Sequence, residues 1–96
     1  MPLYISLLSF TQQGVERIKE QSGRIDDIKK AYAAGGGELI GYYPTMGRYD
    51  GVAIYRMPDD VTAAKFILGT VTKGNVRSET MRAFEEAEYL AILKGV

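Results

Sequence analysis

Leu3 to Phe10 reads LYISLLSF, and this segment is apolar or neutral on both of its alternations. Leu3, Ile5 and Leu7 fall on one side; Tyr4, Ser6, Leu8 and Phe10 fall on the other. An extended strand sends successive side chains to opposite faces, so a segment of this kind has to be covered on both. It is therefore expected to be a central strand. Arg48 to Arg56 (RYDGVAIYR) behaves alike, with Val52 and Ile54 on one side and Tyr49, Ala53 and Tyr55 on the other.

Thr11 follows the first strand as a helix N-cap candidate. Val15, Ile18, Ile25, Ile28 and Tyr32 then recur at helical spacing, interrupted by Ser22-Gly23. One kinked helix, or two short ones in line, is expected over residues 12–34, ended by Gly35-Gly36-Gly37. Glu38 to Tyr43 (ELIGYY) reads as a second strand, joined to the third by Pro44-Thr45-Met46-Gly47. Pro58-Asp59-Asp60 opens another helix whose Val61, Ala64, Leu68 and Val71 form an apolar stripe. Gly74-Asn75 turns the chain into a fourth strand, Val76 to Phe84, which alternates polar and apolar residues. Glu85 to Lys94 closes as a helix with acids first and a lysine last.

The order is β-α-β-β-α-β with an added C-terminal helix. It predicts a single α+β domain over residues 1–96, a ferredoxin-like plait: an antiparallel four-stranded sheet with its long helices on one face. With 46% apolar residues the chain can fill one core. Twelve basic and 12 acidic residues cancel, so a nucleic-acid partner held by phosphate contacts is not expected. The absence of Cys and His removes disulfides, thiolate chemistry, imidazole bases and the common metal sites. No metal and no cofactor are expected, and haem would need the rare Tyr or Met ligation. Met1-Pro2-Leu3 leads straight into the strand and no long apolar run exists, so neither signal peptide nor membrane span is expected. The expected location is cytoplasmic.

Central strands that are apolar on both sides leave the face away from the helices in need of a cover. A second copy, packed sheet to sheet about a two-fold axis, is the simplest one. Ser78, Thr80 and Arg82 share one alternation of the fourth strand, and Arg77 and Glu79 the other. Together with Tyr42 and Tyr43, such polar tips over an apolar floor could line a small-ligand pocket or merely rim an interface.

Gly47-Arg48-Tyr49-Asp50 resembles the Gly-x-Tyr-Asp signature of the GYD domain family. Gly74 to Phe84 is similar to that family's fourth strand, and Tyr4 to Gly14 to its first strand and helix cap. The resemblance spans about residues 2–86. It implies membership of the dimeric α/β-barrel superfamily. That superfamily includes cofactor-independent monooxygenases, small isomerases, haem-binding enzymes and amino-acid-sensing modules.

Asp50 and Tyr49 are the candidate catalytic residues, a carboxylate beside a phenol. Asp50 also fits a turn role, bonding local backbone N–H groups, and that reading is favoured. Gly47 is read as a turn glycine. Tyr4, Ser6, Tyr43, Tyr49, Asp50, Arg77 and Arg82 are the candidate ligand-binding residues, the arginines as clamps for an anion. An ion pair of Arg77 with Glu79 is the simpler expectation. Asp26-Asp27, Asp59-Asp60 and Glu85-Glu86 sit at helix starts or surfaces, where they cap or are solvated. Gly35-Gly36-Gly37 lacks the Lys and Ser/Thr of a phosphate loop.

The residue inventory favours a homodimeric small-molecule-binding or regulatory module. A cofactor-independent oxygenase or isomerase acting on a small organic substrate is the second reading, and an assembly module without a ligand the third.

Overall fold

The computed structural model describes residues 1–21 and 25–96. Within them four strands, β1 (Leu3–Phe10), β2 (Glu38–Pro44), β3 (Gly51–Arg56) and β4 (Val76–Ala83), form one antiparallel sheet in the order β2-β3-β1-β4. The helices are α1 (Gln12–Glu16), α2 (Ile25–Ala34), α3 (Asp60–Val71) and α4 (Glu86–Lys94), with a short 3-10 turn at Ile18–Gln21. This is the βαββαβ plait with β1 and β3 at its centre, as their two-sided apolar pattern requires.

The helical stretch after β1 is more broken than its periodicity suggests. α1 already ends at Glu16, with Arg17 as its C-cap; the Ser22-Gly23 interruption lies outside the described residues. Thr11 caps α1 by accepting from the Gly14 N–H at 3.1 Å, and Asp59 caps α3 by accepting from Thr62 N–H at 2.7 Å. β3 begins at Gly51, so Arg48, Tyr49 and Asp50 belong to the turn before it. Gly47 (φ 104°) and Gly74 (φ 84°) supply the left-handed conformations that those two turns need.

Tyr4, Leu8, Ala53, Tyr55 and Met57 meet Tyr32 of α2 and Ala63 of α3 to form the core. Tyr32 and Phe66 pack with tilted rings, centroids 4.5 Å apart, and Tyr32 and Tyr55 likewise at 4.8 Å. α3 therefore turns Ala63, Phe66 and Ile67 inward, not the stripe read from the sequence. Val61 and Leu68 are 63% and 65% exposed, and Ala64 also faces outward. This helix is apolar most of the way round, so periodicity alone does not choose its buried face. The Phe66 ring does, because it is the one that fits against Tyr32.

α4 buries none of its residues, and Tyr89, Leu90, Ile92 and Leu93 are all about half exposed. Its start is tied down by ion pairs of Arg56 with Glu85 and of Arg82 with Glu88 (3.2 Å). The chain measures 49 × 29 × 21 Å with a radius of gyration of 14.5 Å. A compact chain of this length is expected near ~12.5 Å. Among the described residues no helix is long and apolar enough to cross a membrane.

Candidate functional site

Strand parity divides the candidate residues between two faces. Tyr4, Ser6 and Leu8 point to the helices, where they pair with Arg82, Thr80 and Ser78 of β4. Leu3, Ile5 and Leu7 point to the opposite face, joined there by Val52 and Ile54 of β3. In register across the sheet, Ile54, Ile5 and Met81 form one row; Tyr43, Val52, Leu7 and Glu79 form the next. No helix among the described residues covers these rows, and Tyr43 and Met81 are 58% and 46% exposed. The Tyr43 ring folds down over Gly41, where an added Cβ would lie 2.7 Å from it. The uncovered face is thus a continuous apolar strip with Glu79 and Arg77 at its β4 margin.

The residues read as one ligand-binding set are consequently not assembled. Tyr4, Ser6 and Arg82 lie on the helix side, Tyr43 and Arg77 on the bare side, and Tyr49 and Asp50 at the hairpin. Ser6 is fully buried within a line of hydroxyls: Tyr55 OH at 2.8 Å, Thr80 Oγ1 at 2.9 Å, and from there Ser78 Oγ at 2.8 Å. The buried Tyr4 donates its hydroxyl to Asp60 Oδ1 at 2.5 Å. Burial and then this bond push its pKa up to about 12. Arg82 stacks over the rings of Phe84 and Tyr4 while pairing with Glu88.

The expected Arg77–Glu79 pair is replaced by a different one. Glu79 Oε2 accepts from Tyr49 OH at 2.8 Å, which raises the tyrosine's pKa. Asp50 continues the β1–β3 ladder past the last paired residue. Its N–H donates to Leu8 O at 2.8 Å, and its Oδ2 accepts from Phe10 N–H at 2.8 Å. Its carbonyl receives Thr45 N–H at 3.0 Å, which closes the hairpin. These are strand-end bonds of the kind that turn aspartates make.

A cavity of about 630 Å3 opens on the helix side, between α2, α3 and the ends of β1 and β4. Asp50 borders it, as do Tyr32 and Tyr42. The sequence points to Tyr42, with Tyr43, as a residue that could line a pocket, but not to Tyr32. Tyr32 looked like one more member of an apolar helical stripe, and only the closing of α2 over the sheet sets it beside Tyr42. Burial raises the pKa of both phenols.

The topology defines a small antiparallel plait with its core between the sheet and the helices α2 and α3. A family model for the GYD domain matches residues 4–93, and the chain belongs to that family. It is 28% identical over 95 residues to the glutamine synthetase and cystathionine beta-lyase binding protein of Thermus thermophilus, covering 98% of this chain and all of the relative. The crystal structure of TTHA0845, also from Thermus thermophilus, superposes with a TM-score of 0.56 at 22% identity, over 88% of this chain and 95% of that one. FFRP-DM1 gives 0.57 at 17% identity, over 88% and 100% of the two chains. The hypothetical protein PHS023 from Pyrococcus horikoshii gives 0.55 at 18%, over 90% and 93%. At such identities the structures establish a shared fold.

Proposed function

We propose that this chain is a homodimeric binding module that regulates other proteins by docking on them. The observation that carries the dimer is the uncovered strip of Leu3, Ile5, Leu7, Val52 and Ile54 across the two central strands. A contiguous apolar face of this kind marks an interaction surface, and a second sheet laid against it about a two-fold axis would bury it. Two further apolar surfaces stay available for a different protein: the outward stripe of α3 and the projecting α4. The name of the Thermus relative, a binding protein for two enzymes, supports metabolic enzymes as the partner class.

Native mass spectrometry of freshly purified chain tests the assembly. A dimer that Ile54→Glu converts to monomer is the expected result, since a buried unpaired carboxylate is costly at such a centre. A parent chain that is monomeric at micromolar concentration rejects it. The docking role is tested by biolayer interferometry against purified glutamine synthetase and cystathionine beta-lyase of the same organism. Saturable binding to either, weakened by Leu68→Glu or Leu90→Glu, is expected; binding to neither removes this partner class.

A further inference from the structure

The cavity on the helix side is half open to solvent and half enclosed by the protein. Its volume is about 630 Å3, the size of a small-molecule site. Leu8, Phe10, Ile28, Phe66 and Ile67 make its walls apolar. Thr45, Thr70, Asn75 and Ser78 also line it, each with a side-chain hydrogen bond inside the protein, and two phenols add to them. The hydroxyls of Tyr32 and Tyr42 have no hydrogen-bond partner among the described residues. Yet no half-buried or buried described residue has a side-chain oxygen both shut from solvent and unpartnered. Each hydroxyl therefore reaches accessible space, and both residues line the cavity.

Asp50 lines the same wall with Oδ2 accepting from Phe10 N–H, and among the described residues the other charges that border the cavity, Asp27 and Lys73, are exposed. Beside the two phenols the described lining thus carries the Asp50 carboxylate and no buried cation. An anionic guest would lose its hydration there with no buried cation to replace it.

We propose that this cavity binds an uncharged, largely apolar organic molecule of one or two fused rings, whose carbonyl or hydroxyl oxygen accepts hydrogen bonds from Tyr32 and Tyr42. The site lies within one chain, on the side of the sheet opposite the strip assigned to the dimer. It does not depend on that assembly, and its occupancy would brace α2 and α3 against the sheet.

The neutral naphthalene ketone dye prodan serves as probe, because its emission moves to the blue in apolar surroundings and its carbonyl is an acceptor. The expected result is saturable binding to one site per chain, with amide chemical-shift changes in α2, α3 and β2. Tyr42→Phe weakens it about fivefold, the worth of one hydrogen bond. The Tyr32→Phe/Tyr42→Phe double variant weakens it at least about tenfold at unchanged melting temperature. Met81→Glu, on the opposite face, leaves the affinity unchanged even where it splits a dimer. Absence of saturable binding overturns the proposal. So does parental affinity in the double variant, or loss of binding in Met81→Glu. If the double variant does not fold, Tyr42→Phe alone decides by the same criterion.

Discussion

Ser6 Oγ and Tyr55 OH lie 2.8 Å apart on the two central strands, and neither residue is accessible to solvent. Ser6 is the pivot of the hydroxyl line, since it also holds Thr80 Oγ1 at 2.9 Å. Burial pushes the Tyr55 pKa up, while Ser6 and Thr80 pull the other way. A small polar residue in the middle of an apolar strand is explained by this: it satisfies a phenol that the core needs for its bulk.

Ser6→Ala is expected to destabilise the fold by about 1–3 kcal/mol, because it strips a buried hydroxyl of its partner. Adding Tyr55→Phe should restore part of the loss, since no polar group is then left stranded. Urea unfolding of the two single variants and the double variant measures both effects. Equal losses that simply add would show that the pair is not coupled.

Gly14 sits where the start of α1 touches the turn before β4. A Cβ built there would stand 2.0 Å from the Asn75 carbonyl oxygen, and backbone has no easy way to yield. Gly14→Ala should cost about 2–3 kcal/mol through overpacking. It should also loosen the bond from Thr11 N–H to Asn75 O, now 3.1 Å. Hydrogen exchange at Thr11 is the local readout, and protection equal to the parent would contradict the packing.

Tyr4 makes stability fall in alkali. Its hydroxyl holds its proton up to about 12 in the fold, against the ordinary 10.0. The unfolded chain releases that proton first, so this contribution is complete below pH ~10 and disappears as pH climbs through ~12. The loss should be of order 1 kcal/mol, less than the raised pKa alone implies, because Asp60 is exposed and screened by water. Chemical denaturation at about pH 9 and about pH 11.5 should show a steeper decline for the parent than for Tyr4→Phe.

Asp50→Asn keeps an acceptor for Phe10 N–H but removes its charge. A loss of about 1 kcal/mol is expected, and roughly twice that for Asp50→Ala, which leaves the N–H unpaired. If Asp50→Asn is as stable as the parent, the strand-end role assigned to this carboxylate is wrong.

Period-two and helical patterns carried a great deal. The double-sided apolar segments Leu3–Phe10 and Arg48–Arg56 placed β1 and β3 at the centre, because alternation is a local geometric property of an extended chain, although β3 itself begins at Gly51. Thr11 and Asp59 were legible as caps, and Gly47 and Gly74 as turn glycines, since each answers a local backbone need. The uncovered apolar face was visible for the same reason.

What depended on partners far along the chain was not visible. Asp60 receiving Tyr4 spans 56 residues, and Tyr49 reaching Glu79 spans 30. Glu79 looked like a mate for Arg77 only because it stood nearby in sequence. α3 is apolar on more than one side, so its buried face waited for Phe66 to meet Tyr32. The cavity behind Tyr32 and Tyr42 exists only once α2 lies over β2 and β3. Sequence determined which residues face which side of each strand; tertiary structure decided which sides meet, because packing selects among faces that periodicity leaves equivalent.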